Sequence, residues 1–436
     1  MSDIRPINPY VAGPPLSEEK GFFGRQGTLK WVEQELRNLA TNSLVLFGQR
    51  RIGKTTLLLQ LRRLLPADAF LPIYFDLQDQ AQRPLGQVLA SLAEETAQWA
   101  GVAASHPDDF DDEGQFFQNI FLPKIHTALG EGRRVVFLLD EFDVLDQPAR
   151  VELHEMAAAK TLFPFVRQVM INAPYVAFVF VVGRQAEDLS IDYKSTFKTS
   201  LAHEIWVLDH ESAVALVRQA QTDGSLTFLD EAAARILSLT SGHPYLTQLI
   251  CQRIWERAYT ARPVSPPVIG EPEVDAAIPL VLEAGGPALE WLWDGLRPQE
   301  KVYASALAEI AEEGTTIPED QVIQALSQHA VRLRTQEVVR DAPHRLVQRR
   351  ILEEAGERDY RFAVELFRRW VGKNKRLRDV KDELDRLDPQ ANEHFRAGYQ
   401  LFIASKWDEA VPYFQDTLRE NPRHFRARFC LGIALL

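Results

Sequence analysis

The stretch GQRRIGKTTLL, residues 48–58, decides the fold of this chain. Two glycines stand five positions apart, and Lys54 and Thr55 follow the second glycine directly. The apolar run SLVLF (43–47) precedes the stretch, and the helix-forming run LLLQLRRLL (57–65) overlaps its end. Glycines let such a loop curl until its backbone N–H groups converge on an anion. The spacing G-x-x-x-x-G-K-T therefore predicts a phosphate-binding loop, with the positive end of a helix behind it.

The side chains of this loop have expected roles toward ATP or ADP and Mg²⁺. Lys54 is expected to reach the β- and γ-phosphate oxygens, and the Thr55 hydroxyl to hold Mg²⁺. Arg50 and Arg51 leave three alternatives open: a phosphate contact, a contact with a neighbouring subunit, or a solvated basic rim. The predicted nucleotide contacts in the loop are Gly48, Gln49, Arg50, Arg51, Ile52, Gly53, Lys54, Thr55 and Thr56.

A second acidic element is required, and VVFLLDEFD (135–143) supplies it. The apolar residues carry the chain to the carboxyl edge of a sheet, where Asp140 is predicted to hold the metal with Thr55. Glu141 is predicted to orient and deprotonate a water molecule. Asp143 better fits a structural role. The Asp-Glu pair favours hydrolysis over nucleotide sensing alone.

The strand candidate in VAFVFVVGRQ (176–185) ends in Arg184, which we expect near the γ-phosphate in a catalytic role. The alternative for Arg184 is an exposed loop arginine. Asp76, at the end of LPIYFD (71–76), is expected to have a structural or supporting role.

Nearly continuous apolar runs predict a parallel sheet that helices cover on both faces. The predicted fold class is multidomain, with an α/β P-loop core over 21–208. The expected strands are 43–47, 71–76, 134–140, 176–182 and EIWVL at 204–208.

The other predicted segments surround this core along the chain. They are an N-terminal arm (1–20), a helical lid (209–262), a linker (263–279), a winged-helix-like domain (280–372), a connecting helix (373–390) and all-α repeats (391–436).

The last 46 residues carry a repeat pattern. Counted from Ala391, it places Gly398, Leu401, Ala410, Phe414 and Pro422 at repeat positions 8, 11, 20, 24 and 32. This spacing resembles the tetratricopeptide repeat, a 34-residue helical hairpin that binds protein partners in its arrays. A second copy begins at Phe425, and we expect the natural protein to continue into further repeats.

Composition limits the class of protein. Hydrophobic residues make up 46% and charged residues 25% of 436 residues, which is typical of a water-soluble globular protein. Two cysteines supply neither a disulfide framework nor a zinc cluster. The net charge of −12 argues against general coating of nucleic acid. We expect a cytoplasmic protein without a membrane partner.

With these motifs in order, the first 370 residues resemble the STAND class of P-loop ATPases, relatives of the AAA+ and Orc/Cdc6-like group. The other matching motifs are FFGR (22–25), SGHPYLTQLIC (241–251) in the lid and LFRRWV (366–371) after it. The resemblance implies a switch that holds ADP at rest. When a trigger binds the repeats, it exchanges ADP for ATP and forms homo-oligomers.

The resemblance also implies contacts with the base. Phe23, Gly24 and Arg25 are expected under the adenine, and Pro244 is expected to close over it. His243 is expected to contact phosphate or base, with a core histidine at a helix start as the alternative. Two departures stand out: Gln26-Gly27 replaces the acidic residue that the family has there, and no arginine is identifiable as a finger acting across subunits.

The leading functional prediction is a slow ATPase that works as a signalling switch. A DNA-associated ATPase is the alternative, because residues 331–378 hold fourteen Lys or Arg against seven acidic residues. A solvated helix surface, or a basic seam on the acidic core, is the favoured explanation of that charge. A repeat scaffold with an inactive ATPase is disfavoured by the intact Lys54, Thr55, Asp140 and Glu141.

Overall fold

The structure, a computed structural model, describes most of the chain. The described residues are 6–18, 20–146, 157–183, 200–260, 265–328, 336–385, 389–421 and 424–435. They divide into two compact units, Met1–Leu229 with Gly242–Ile269, and Asp230–Ser241 with Gly270–Leu436. Among the residues described, no helix has both the length and the apolar composition to cross a membrane.

The first unit is built on a five-stranded sheet in which every pairing is parallel. The strand order is β2-β3-β4-β1-β5. The strands are β1 (Ser43–Phe47), β2 (Phe70–Asp76), β3 (Arg134–Asp140), β4 (Val176–Val182) and β5 (Leu201–Glu204). Because the strands are parallel, the polar residues that follow β1, β2 and β3 come to one edge of the sheet.

Apolar side chains on both faces explain why β3 and β4 read as continuous apolar runs. Every residue of these two strands is buried. In β3, Val135, Phe137 and Leu139 join one apolar cluster, while Val136 and Leu138 join another. Alternate residues of a strand point to opposite faces, so each face needs its own apolar set.

Helices from both sides complete these two clusters. Helices α1 (Gln26–Arg37) and α2 (Lys54–Leu64) pack in the cluster of Val136. The other cluster contains α3 (Leu85–Ala100), α4 (Leu122–Leu129) and α5 (Ala158–Asn172). The predicted α/β core with a covered parallel sheet is confirmed.

The position predicted for the fifth strand was wrong. The strand is Leu201–Glu204, which pairs with β1 from Leu44 to Phe47, and not residues 204–208. As an edge strand, β5 is exposed or half-buried and needs no apolar run. The apolar segment 205–208 leaves the ladder after the Ile205 N–H donates to the Phe47 carbonyl at 2.7 Å. Its core contribution, a fully buried Ile205, comes without strand pairing.

The remainder of the first unit is mainly helical. It contains α6 (His210–Val217), α7 (Gln219–Thr222) and α9 (Pro244–Ala258), with a short parallel pair between β6 (Thr227–Phe228) and β7 (Val268–Ile269).

The second unit consists of helices and one small sheet. Its helices are α8 (Asp230–Thr240), α10 (Glu271–Ala284), α11 (Gly286–Asp294), α12 (Pro298–Ile310), α13 (Glu319–Gln328), α14 (Gln336–Gln348), α15 (Glu365–Asn374), α16 (Leu377–Asp385), α17 (Pro389–Ile403), α18 (Trp407–Glu420) and α19 (Phe425–Ala434). Its antiparallel sheet has the order β8-β10-β9, formed by β8 (Ile317–Pro318), β9 (Leu352–Glu354) and β10 (Asp359–Phe362).

Three residues of the repeat pattern lie where α17 meets α18. A Cβ on Gly398 would stand 2.8 Å from the Cβ of Tyr413, so a side chain there would hold the two helices apart. Ala410 and Phe414 are fully buried in the same apolar cluster. Small and aromatic residues at this spacing thus permit a close helical hairpin.

Candidate functional site

The loop of residues 48–53 joins β1 to α2 and is shaped by close approach and left-handed backbone. A Cβ on Gly48 would stand 2.2 Å from the Ile205 carbonyl oxygen, so only glycine fits there. Gly53, with φ of 96°, adopts a conformation that other residues avoid. No side chain caps the N-terminus of α2, which leaves that end suited to an anion.

Lys54 lies folded against the loop that precedes it. Its side chain is 6% exposed, and Nζ donates to the carbonyls of Gly48 at 3.0 Å and Gln49 at 2.8 Å. Burial lowers the pKa of Lys54, while the nearby carboxylates of Glu141, Asp143 and Asp140 act to raise it. The carboxylates thus oppose the effect of burial on the Lys54 pKa without cancelling it.

Asp140 at the end of β3 reaches the first turn of α2. Its carboxylate is hydrogen-bonded to the Thr55 hydroxyl and accepts from the Glu141 N–H at 3.0 Å. Its Oδ2 accepts from the Tyr74 hydroxyl at 3.2 Å. Burial raises the pKa of Asp140, and Thr55, the Glu141 N–H, Tyr74 and Lys54 oppose that rise.

The pair of Thr55 and Asp140 fits Mg²⁺. Hydroxyl and carboxylate oxygens are the hard ligands that Mg²⁺ prefers, and Mg²⁺ takes its other ligands from phosphates and water. Within the described parts of the chain, no group of three or more His, Cys, Asp or Glu residues could hold a metal by itself. The oxygen donors of Thr55 and Asp140 therefore suit a metal that arrives with a phosphate ligand.

Glu141 is placed beside this pair by an unusual backbone conformation. Its φ of 49° lies in the left-handed region, which non-glycine residues seldom occupy. Its Oε2 lies 3.8 Å from Nη2 of Arg50. Burial raises the pKa of Glu141, and the cations of Lys54 and Arg50 oppose that rise. A carboxylate with a raised pKa is better suited to accept a proton near neutral pH.

Asp143 and Asp76 bind backbone amides. Asp143 Oδ1 accepts from the Gly183 N–H at 3.0 Å and so joins the segment after β3 to the end of β4. Asp76 Oδ1 accepts from the Gln78 N–H at 2.9 Å and shapes the turn after β2. Arg184, next after Gly183, lies outside the described residues, and its role near the γ-phosphate stays a prediction.

A cleft of about 370 Å³ opens above the loop. Its polar end is lined by Arg50 and by loop residues from Ile52 to Thr56, together with Gln78 and Glu141. Its other end is lined by the N-terminal arm, by Phe22 and Phe23, and by Tyr245 of α9. The cleft thus has a charged end and a largely apolar end, which matches the chemistry of a nucleotide.

The residues expected around the base do not all reach the cleft. Phe23, Arg25 and Pro244 line it. Gly24 lies beside α6, where a Cβ would stand 3.0 Å from the Ser212 hydroxyl, and it is outside the cleft lining.

Arg25 braces the phosphate-binding loop. Its φ is 70°, and its guanidinium donates to the carbonyls of Ile52, at 3.1 Å, and Trp206. Burial lowers the pKa of Arg25 to about 10, while the Asp209 carboxylate acts to raise it.

His243 caps α9 and is outside the cleft lining. Its ring is 2% exposed, and its Nδ1 accepts from the Leu246 N–H at 3.5 Å. Burial lowers the pKa of His243 to about 4, so the ring is neutral at pH 7. This is the alternative of a histidine at a helix start, and the structure does not bring His243 to the predicted phosphate or base position.

The N-terminal arm was not among the predicted site residues, yet it forms one wall of the cleft. The Val11 N–H donates to Gln248 Oε1 at 3.1 Å, and the Leu16 N–H donates to the Thr56 hydroxyl at 3.2 Å. The arm therefore bridges α9 and the first turn of α2.

Tyr10 anchors the arm. It is 2% exposed and donates to the Val217 carbonyl. The sequence feature that could have indicated this role is the presence of a large aromatic residue in a Pro-rich arm. Tyr74 and Gln78 were also missed. The only sequence feature that could have indicated them is their position in or just after a predicted strand.

Comparison with known proteins gives structural likeness alone. No protein-family model matches the chain, and no curated protein matches it. The solved structure of the Walker-type ATPase PABY2304 of Pyrococcus abyssi has a TM-score of 0.59 and 14% identity, over 82% of this chain and 98% of that chain. The ORC2 protein of Aeropyrum pernix, solved as ADPNP–ADP complexes, has a TM-score of 0.54 and 14% identity, over 84% of this chain and 96% of that chain. The likeness is one of fold: the parallel sheet and its covering helices match the α/β core of these two solved structures.

Proposed function

We propose that this chain binds ATP and ADP with Mg²⁺, hydrolyses ATP slowly, and acts as a STAND-type switch. The observation that carries the proposal is the contact between Asp140 and Thr55 beneath a glycine-shaped loop that holds Lys54. This contact brings together, from two distant segments, the groups that hold a metal and a phosphate tail. Glu141 lies next to them at the same end of the cleft.

The chain's own groups divide the work of hydrolysis. Lys54 leaves the carbonyls of Gly48 and Gln49 to bind the β- and γ-phosphate oxygens. Thr55 and Asp140 hold Mg²⁺, which when bound offsets the phosphate charge. Glu141 orients a water molecule and accepts its proton. The arm and α9 keep bulk water away from the adenine of the nucleotide.

The resting and active states differ in what the cleft contains. A triphosphate shifts a conformational equilibrium only if it binds one state more tightly than the other. The groups that can sense the γ-phosphate are Lys54 and Glu141, and Arg184 is proposed to join them. We infer that ATP binding leads to a homo-oligomer and that the protein works in the cytoplasm.

The second unit is proposed to hold the sensor. We assign a winged-helix-like domain to this unit, and the order α12, β8, α13, α14, β9 and β10 supports the assignment. We assign α17, α18 and α19 to tetratricopeptide repeats, whose stacked hairpins bind a protein partner in a groove.

Two measurements test this function. Calorimetric titration of the whole chain with Mg-ATP is expected to show binding that Lys54→Ala abolishes, since the variant lacks the phosphate counter-charge. Arg63→Ala, on the far turns of α2, is the matched control and is expected to bind normally.

Light scattering with ADP, ATP and a non-hydrolysable analogue is expected to show a larger mass with the triphosphates only. Absence of Mg-ATP binding would reject the function, and equal mass in all states would reject the switch.

DNA association is the second candidate, because the basic residues of 331–378 exceed the acidic ones. Ion pairs inside the second unit engage many of them: Arg349, Arg358, Arg361, Arg368, Arg369, Lys375 and Arg378. Arg332 and Arg334 lie outside the described residues. Because acidic residues of the same unit balance these charges, the pairing disfavours a DNA footprint. Salt-dependent binding of duplex DNA at low ionic strength would reverse that preference.

A further inference from the structure

The two adjacent arginines of the phosphate-binding loop point in different directions. Arg51 donates from Nη1 to the Gly13 carbonyl at 2.7 Å, and its guanidinium lies 5.4 Å from the ring centre of Tyr245. Arg50 instead lies with Nη2 3.8 Å from Glu141 Oε2. Arg51 therefore belongs to the arm and base end of the cleft, and Arg50 to the phosphate end.

Arg50 lies among the groups proposed to carry out hydrolysis. It lines the cleft with Lys54, Thr55 and Glu141. Its side chain is 43% exposed and that of Glu141 is 22% exposed, so both are accessible from the cleft. An ion pair of this exposure contributes little to stability, about 0–1 kcal/mol, so holding the loop together is a weak explanation for it.

We propose that Arg50 is a catalytic arginine that this chain carries inside its own phosphate-binding loop, and that its pairing with Glu141 is the resting position. The inference rests on the proposed ATPase function. A γ-phosphate carries more negative charge than one carboxylate and presents oxygens that suit the planar guanidinium fork. The phosphate of bound Mg-ATP therefore draws Arg50 away from Glu141.

This exchange of partners prepares both residues for the reaction. Glu141, freed from Arg50, accepts a proton from the attacking water. The water oxygen forms a bond to the γ-phosphorus, and the bond from that phosphorus to the β–γ bridging oxygen breaks. The electron pair stays on the bridging oxygen, which becomes a terminal oxygen of ADP. Arg50 stabilises the negative charge on the γ-phosphoryl oxygens during this step.

The arrangement also accounts for a feature of the sequence. No arginine is identifiable as a finger acting across subunits, whereas the loop itself carries two arginines before Ile52. With Arg50 in place, a single chain has the cation that hydrolysis requires. Turnover of this chain is then expected to be first order in protein, without the lag or steep concentration dependence that a finger from a second copy would produce.

The test compares Arg50→Gln, Arg50→Lys and Arg51→Gln in steady-state ATP hydrolysis by the full chain. We expect Arg50→Gln to lower kcat by about 100-fold or more, as loss of one transition-state donor does, and to change the Kd for Mg-ATP by less than about threefold. Arg51→Gln is expected to raise KM with little change in kcat, because its partners are the arm and Tyr245. Arg50→Lys keeps the charge and is expected to restore part of kcat.

A transition-state analogue separates a catalytic role from a structural one. Arg50→Gln is expected to lose affinity for ADP with aluminium fluoride and Mg²⁺ while it keeps affinity for ADP. Retained ADP binding also shows that the variant is folded. Arg62→Gln, on α2 with its guanidinium 4.1 Å from the Trp99 ring centre, is the control and is expected to behave like the wild type.

The outcomes distinguish this inference from the proposed function. If the wild type hydrolyses ATP and Arg50→Gln hydrolyses it as fast or faster, Arg50 is not catalytic and the ATPase proposal stands. A loss of ADP affinity equal to the loss of analogue affinity would likewise overturn the catalytic role. If the wild type neither binds nor hydrolyses Mg-ATP, the proposed function falls, and this inference falls with it.

Discussion

The two ends of the cleft are built in different ways. At the phosphate end, a short loop and the end of one strand place Lys54, Thr55, Asp140 and Glu141 within mutual reach. At the base end, the arm, the FFGR segment and α9 each contribute three or more residues, and α6 contributes Leu216. The phosphate end depends on the backbone conformation that the loop glycines allow. The base end depends on tertiary hydrogen bonds such as that of Val11 with Gln248.

This difference separates chemistry from retention. Changes at the phosphate end are expected to alter turnover, because those groups meet the reacting atoms. Changes at the base end are expected to alter how tightly and how long nucleotide is held. For a switch that rests with ADP bound, retention is the quantity that sets the resting state.

The largest expected effect is that of Glu141→Gln at the phosphate end. Glutamine keeps the shape of the side chain but cannot accept the proton, so turnover is expected to fall by about 10²- to 10⁴-fold. Mg-ATP affinity is expected to stay within about threefold, because the base end is untouched. Phosphate release and calorimetry measure the two quantities.

Glu33→Gln is the matched control for this variant. Glu33 forms an exposed pair with Arg37 on α1, outside the cleft lining, and its loss is expected to leave turnover unchanged. Full hydrolysis by Glu141→Gln would show that another group is the base and would remove the proposed division between the two ends.

The next effect is a loss of stability of α9, the helix that His243 caps, as the pH is lowered. The pKa of His243 falls from 6.5 to about 4 on burial, and the cation of Arg25 adds to that fall. Below pH 6.5 His243 is therefore protonated in the unfolded chain, whereas in the folded chain it becomes protonated only near pH 4. The contribution of His243 to the free energy of unfolding is complete above pH 6.5. It declines as the pH is lowered through this window, by at most about 3 kcal/mol.

His243→Asn tests this dependence, because asparagine also caps a helix but does not titrate. Hydrogen exchange of peptides from α9, compared at pH 7 and pH 4.5, is the measurement. The wild type is expected to lose protection at the lower pH, and the variant to lose less. Equal losses in both proteins would mean that groups other than His243 determine the acid sensitivity of α9.

A smaller effect is expected from the anchor of the arm. Tyr10→Ala removes a buried ring and the hydrogen bonds to the Val217 carbonyl and from the Ala220 N–H. We expect Mg-ATP and ADP affinities to fall by about tenfold, equivalent to about 1.4 kcal/mol, through faster dissociation at unchanged kcat. Stopped-flow release of a fluorescent ADP measures the rate.

Tyr10→Phe keeps the ring and loses only the hydroxyl. It is expected to show a smaller change, about 1 kcal/mol or less, because a single buried hydrogen-bonding group is removed. If Tyr10→Ala releases ADP at the wild-type rate, the arm is a passive strap and retention resides in α9 alone.

How much of this was predictable from the sequence follows from the same contrast. Four strands were predictable because burial on both faces requires a continuous apolar run. The fifth was misplaced because Leu201–Glu204 lies at an edge. The meeting of Thr55 with Asp140 was predictable, because parallel strands end at one edge of a sheet.

The base end was less predictable because its contacts arise only after folding. Nothing in the arm indicated that Val11 would reach Gln248, or that the adjacent Arg50 and Arg51 would part. The placement of His243 inside the cap of α9 depends on tertiary packing that periodicity does not specify.

The smallest effect is expected from Tyr74→Phe, which adjusts the phosphate end without removing any group that meets the nucleotide. Tyr74 donates to Asp140 Oδ2, but Asp140 keeps the Thr55 hydroxyl and the Glu141 N–H as partners. Because Tyr74 is only half-buried, water can replace its hydroxyl, and the net loss is expected to be about 1 kcal/mol. The Mg²⁺ concentration for half-maximal turnover is then expected to rise about fivefold at unchanged maximal rate. A rise beyond tenfold would place Tyr74 among the groups that fix the metal, and a fall would mean that its hydroxyl competes with Mg²⁺ for the same carboxylate oxygen.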